Sequence, residues 1–188
     1  MALRQIAQPA ATPISVAQLK AQCRIDAADE DAYLDSLIRR ATKHLEVVTW
    51  RAFVTQQWKL TGTHLETPLV VPKGRLQSIV SFGYTDTEGT FVAFANDDYV
   101  ADVNADPGEI RPPYGTAWPA VRTYHRGFDL VFQCGFGAAE DVPEDLRHAV
   151  ALLASFWWHH RGTEASLPNL DGLLQPWMLR DQRVMRFL

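Results

Sequence analysis

The chain has 188 residues, 47% hydrophobic and 21% charged, with 22 Asp and Glu against 18 Lys and Arg. This is ample for a buried core and excludes a disordered chain, while a net charge of −4 gives no overall drive toward phosphate backbones and excludes a general nucleic-acid coat. Cys23 and Cys134 show neither a Cys-x-x-Cys nor a Cys/His spacing, which excludes a zinc module and fits reduced thiols, and with no uncharged apolar run of about 18 residues neither a membrane span nor an export signal is expected.

From Ser15 the segment SVAQLKAQCRID reads as a short helix, with Ser15 as cap and Val16, Leu19 and Cys23 near one face. Asp26 and Ala27 break it. A stronger helix is expected from about Asp29, where Asp29, Glu30 and Asp31 favour the positive end of the dipole. Leu34, Leu37, Ile38, Ala41, Leu45 and Val48 fall on one stripe of a 3.6-residue repeat.

The period changes to two after Ala52. Val54, Trp58 and Leu60 alternate with Thr55, Gln57 and Lys59, predicting a half-buried strand. Short strands are expected at 69–71, 78–84, 91–94, 99–103 and 128–136. Asp86 to Gly89 suits a hairpin loop, and the Pro-Gly step within Asn104 to Gly108 marks a turn. The middle third therefore reads as an antiparallel β subdomain.

A third helix opens at VPEDL, with Pro143 placed at the first helical position and Glu144 and Asp145 favouring the dipole. Leu146, Ala149, Val150, Leu153 and Trp157 form its apolar stripe, and His159, His160, Arg161 and Gly162 close it. A last short helix is expected near Asn169, carrying Leu170, Leu173, Leu174 and Trp177 and limited by Pro176. The fold class is α+β: a helical core of about four helices, an inserted antiparallel β subdomain and an extended C-terminal tail. The expected boundaries are an N-terminal arm at 1–14, helical core at 15–52 and 141–180, the β insertion at 53–140 and a docking tail at 181–188.

No constellation for catalysis, cofactor binding or metal binding stands out. His148 and His159 are separated by about 16 Å of helix rise, and His159 and His160 diverge by roughly 100°, so neither pair shares an ion. There is no G-x-S-x-G, P-loop or G-x-G-x-x-G, and the acids from Asp26 to Asp31 lack the alternation of a calcium loop. The residues point away from an enzyme.

The aromatics say more. Trp157 and Trp158 are consecutive on a helix, so their indoles diverge and cannot both face one core of ordinary width; one is expected at an interface. Trp118 before Pro119 suits loop packing better than base stacking, which needs interleaved Lys or Arg. The tail DQRVMRFL places Arg180, Arg183 and Arg186 among Val184, Met185, Phe187 and Leu188, too hydrophobic for a free terminus and too short to fold alone. Either it binds a partner or it folds back on its own domain.

The order PISVAQLKAQCRID, DEDAYLDSLIRRATKHLE, LVVPKGRLQSIVSFGY, DDYVADV, the Trp118-Pro119 step, DLVFQCGFG leading into VPEDLRHAVALLASFWWHHRG, and LLQPWMLR resembles the head-tail connector (adaptor, or head-completion) proteins of tailed bacteriophages and related prophages, in the longer variety with a β insertion. The resemblance runs from Pro13 to about Arg180. It departs at Cys23, where the family often has leucine, and at Gly162, where it often has an acid.

The resemblance implies a structural virion protein made in the bacterial host cytoplasm and placed in the neck of a phage or gene-transfer particle. Its subunits would form a ring, expected to be dodecameric, beneath the portal protein. The ring would extend the channel for genomic DNA without sequence-specific binding and meet a stopper or tail-terminator protein. The family's C-terminal reach toward the portal maps here to Met178, Arg180, Arg183, Met185, Arg186, Phe187 and Leu188. Trp158 and Trp177 are the expected subunit-interface residues. The alternatives are another neck or tail-completion protein of the same particle, or a small ligand-binding protein or enzyme with a pocket between helices and β subdomain, which would need convergent polar groups.

Overall fold

A computed structural model describes residues 1–26, 29–123, 126–161, 166–179 and 181. The fold is α+β, and the described residues form four α-helices and two antiparallel sheets divided between two compact units.

The helical unit comprises Ala10–Val54 and Phe136–Met178. Helix α1 (Val16–Cys23) starts at the expected cap: the Ser15 hydroxyl accepts the Gln18 N–H, and the Gln18 side chain accepts the Ser15 N–H at 2.8 Å. Arg24, at φ 56°, ends it in the left-handed region. Helix α2 (Asp31–Thr49) begins two residues later than the acidic run suggests, with Glu30 as its N-cap, whose carbonyl accepts the Leu34 N–H at 2.9 Å. Helix α3 (Glu144–His159) takes Pro143 as its N-cap rather than its first residue, since the Pro143 carbonyl already accepts from Leu146 and Arg147. The described residues put its C-cap at His160; Gly162 lies outside them. The last helix, α4 (Asp171–Leu174), passes into a 3₁₀ turn, Gln175–Trp177, that carries Pro176.

The expected stripes meet in one core. Leu34, Ile38, Ala41 and Leu45 of α2 cluster with Leu146, Ala149, Val150 and Leu153 of α3, and α1 adds Leu19. Val48 departs from the expectation at 36% exposure, while Glu46 and Thr49 are buried. The reason is local satisfaction of polar groups. Thr49 Oγ1 donates to the Leu45 carbonyl at 2.7 Å, and Glu46 Oε1 accepts the Phe53 N–H at 2.8 Å just beyond the helix.

The β unit comprises Met1–Pro9 and Thr55–Gly135, with Leu179. Its larger sheet has the order β1 (Ala2–Ala7), β2 (Gln56–Gly62), β8 (Phe128–Cys134), β4 (Leu76–Thr85), β5 (Phe91–Ala93). In the β2–β8 register Trp58 opposes Phe132 and Leu60 opposes Leu130, so the period of two places four apolar side chains on the buried face. Lys59 and Asp129 pair on the opposite face at 2.8 Å.

Within the expected N-terminal arm, residues 2–7 form the edge strand, with Leu3 opposite Leu60 and Gln5 opposite Trp58. Arg4 and Gln5 hide the alternation in ALRQIA, and β2 supplies the pairing that reveals it. The hairpin at Asp86 forms as expected, its carboxylate accepting from the Glu88 and Thr90 N–H groups. A second sheet joins β3 (Leu69–Val70), β7 (Glu109–Arg111) and β6 (Val100–Asp102) in the order β3-β7-β6. Three-residue β7 is too short to carry a period and emerges only from its two partners.

Candidate assembly surface

The adjacent indoles of α3 divide along α2. Trp157 lies under the Arg40 guanidinium, 4.3 Å from ring centroid, and 6.1 Å from the His44 ring. Trp158 turns toward the opposite end of the helix, where its indole N–H donates to Glu30 Oε2 at 2.8 Å. Both are half-buried and pack against the helical core. The divergence required by the 100° helical step is real, and α2 is long enough to receive both rings.

Around Trp158 a polar knot closes the end of the helical unit. Arg161 donates to both carboxylate oxygens of Glu30, at 3.0 and 2.5 Å, and its guanidinium lies 4.6 Å from the Tyr33 ring centroid and 5.2 Å from that of Trp158. The arginine hydrogen bonds, followed by that of Trp158, hold the Glu30 carboxyl below its ordinary range, against the opposing effect of burial. The same pairing raises Arg161. Glu30 reads in sequence as one acid of a solvated helix start; the signal that it does more is Arg161 at the far end of α3, which only the packing of the two helices connects to it.

Trp177 sits edge-to-face on Phe136 at 5.7 Å, and its carbonyl accepts from Arg51 Nε at 2.5 Å. It too packs on the helical core, so the two expected interface tryptophans share that core's rim. Met178 follows at 37% exposure. Arg180, Arg183, Met185, Arg186, Phe187 and Leu188 lie outside the described residues.

His148, His159 and His160 are exposed, and the His160 ring stacks on Phe156 and faces its carbonyl. Among the described residues no group of three or more His, Cys, Asp or Glu side chains is placed to hold a metal ion. No helix among them is long and apolar enough to cross a membrane.

Comparison with known proteins gives two results that agree. A family model described as phage gp6-like head-tail connector protein matches residues 13–79. No curated protein matches the chain. Among solved structures, a chain from the neck of an empty gene transfer agent particle, computed with C6 symmetry, is 24% identical with a TM-score of 0.80, covering 96% of this chain and 97% of that one. A chain from the virion of the native gene transfer agent particle is 23% identical with a TM-score of 0.80 over the same shares. A third, from the native neck computed with C12 symmetry, is 23% identical with a TM-score of 0.78, again over 96% and 97%. The segment that matches the phage gp6-like head-tail connector model, residues 13–79, spans α1, α2, β2, β3 and the start of β4, and over nearly its whole length the chain has the fold of the gene-transfer-agent neck chains.

Proposed function

We propose that this chain is a head-tail connector that forms a ring under the portal protein in the neck of a virion or gene transfer particle. The observation that carries this reading is the family match over residues 13–79, supported by the likeness of the whole fold to chains of particle necks. Its role is architectural. Subunits join head to tail and enclose a passage for genomic DNA, with a stopper or tail-terminator protein on the far side.

A ring needs two different faces on each subunit, one for each neighbour. The half-exposed rims of Trp158 and Trp177 are our candidates for one of them. Twelve copies is the ring size we propose, in keeping with the C12 symmetry of a neck that holds a similar chain. The segment from Met178 to Leu188 is our candidate for portal docking, because its arginines and apolar residues together suit a protein groove better than solvent.

Two experiments test the reading. Imaging of intact particles is expected to place the chain as a ring between portal and tail; finding it elsewhere, or as a single copy, overturns the function. Deleting Asp181 to Leu188 is expected to leave the thermal midpoint unchanged and abolish co-sedimentation with portal rings. Unchanged co-sedimentation refutes the assignment of the tail while leaving the connector reading to the first test.

A further inference from the structure

The β unit carries an open groove. One wall is an aromatic stack on the β4–β5 hairpin and the loop after β7. Phe82 meets Phe94 at 4.5 Å, Tyr84 meets Phe94 at 4.9 Å, and Trp118 stands edge-on to Phe94 at 5.6 Å. These rings are fixed before anything binds. The Trp118 indole N–H donates to the Glu66 carbonyl at 2.9 Å, and the Arg122 N–H ties the loop to the Thr85 carbonyl at 2.8 Å.

The cavity measures about 460 Å³, within the roughly 300–1,000 Å³ of ligand-sized sites. Pro113 and Pro119 also line it, as do Asp97 and Asp98 of the 3₁₀ turn Asn96–Asp98. Asp98 accepts the Ala95 N–H at 2.7 Å and so serves its own turn. Asp97 is exposed and takes part in none of the hydrogen bonds or ion pairs among the described residues. Among the described residues no Lys, Arg or His lines the cavity. Beside it, Tyr114 is fully exposed at 105%, an aromatic side chain with no intrachain burial.

This combination selects by charge and by shape. Free carboxylate in the lining repels anions, and aromatic faces carry negative quadrupole density that attracts cations. A guanidinium satisfies both demands, because it is planar, permanently charged and weakly hydrated, so it can stack on a ring while donating to a carboxylate. An open groove admits such a side chain from an extended chain, and exposed Tyr114, next in sequence to the lining residue Pro113, offers an amphipathic contact.

We propose that this groove docks an extended segment of a neighbouring protein through an arginine laid on the Trp118 and Tyr84 wall, its guanidinium facing Asp97. The test titrates the full-length protein with a capped peptide, Ala-Val-Arg-Pro-Arg-Phe-Ala, and with its twin in which citrulline replaces both arginines. Indole N–H resonances are followed by NMR, and Trp118→Phe assigns the relevant one. The arginine peptide is expected to move the Trp118 resonance and bind at least fivefold more tightly than the citrulline twin. Asp97→Asn is expected to weaken it at least threefold with no change in thermal midpoint. The proposal is overturned by equal binding of the two peptides, by an unchanged affinity in Asp97→Asn, by shifts confined to other tryptophans, or by the absence of binding. It is also overturned if arginine amide alone binds as tightly as the peptide, which would make the groove a small-cation site. Binding is read on the isolated chain, so the outcome is separate from whether that chain joins head to tail.

Discussion

The Glu30 carboxylate receives both terminal nitrogens of Arg161, at 3.0 and 2.5 Å, and so ties the residue before α2 to the second residue past α3. Trp158 adds a third donor to the same carboxylate at 2.8 Å. A planar fork on a carboxylate is a directional contact, and here it joins positions 131 residues apart.

These donors give the contact a pH dependence of definite sign. Arg161 first, and Trp158 second, lower the folded-state pKa of Glu30 below its ordinary 4.5. A lowered carboxyl pKa adds stability that is present above the unfolded value and lost as pH falls through the folded one. Glu30→Gln is therefore expected to unfold at lower urea than the parent at pH 7, and the gap should narrow progressively below about pH 4.5. Urea midpoints at a series of pH values check this; a gap that widens in acid would contradict it.

Glu46 acts at the other end of α2, where its buried carboxylate accepts the Phe53 N–H at 2.8 Å. Truncation leaves that buried backbone donor without this acceptor, at a cost of about 1–3 kcal/mol. Glu46→Ala is expected to lose stability in this range by chemical denaturation. Glu46→Gln, which keeps an acceptor oxygen, should lose less.

Ile38 is fully buried between α2 and α3, and Leu146 faces the same core. Ile38→Ala removes buried methyl groups and leaves a cavity, so a loss of about 2–5 kcal/mol is expected in urea unfolding. The same change at Val47, which is 54% exposed, should stay within about 0.5 kcal/mol.

Gly127 closes the long loop that carries Trp118. A Cβ there would lie 2.5 Å from the Thr63 carbonyl oxygen and 2.7 Å from that of Arg122, both backbone atoms that cannot swing aside. Gly127→Ala is expected to destabilise by about 1–3 kcal/mol and to shift the Trp118 indole resonance. Gly172 is the control: a Cβ meets nothing within 4 Å inside α4, so Gly172→Ala should stabilise by about 0.5–1 kcal/mol.

The local signals determined the elements. The stripe from Leu34 to Leu45, the stripe from Leu146 to Leu153 and the alternation around Trp58 each repeat within one segment, the Ser15 cap is equally local, and such signals are legible without knowing what they pack against. The order of motifs likewise pointed to a head-tail connector, and the match over residues 13–79 agrees.

Tertiary structure decided everything that needs two distant segments. Ala2–Ala7 becomes a strand because β2 offers it an edge, and Glu109–Arg111 because β3 and β6 flank it. Glu30 finds Arg161 only when α2 and α3 pack, and Trp118 becomes a groove wall only beside Phe94 and Asp97. A sequence displays periodicity, which is a property of neighbours along the chain; pairing depends on which backbone edges and side chains the folded core brings within hydrogen-bond reach.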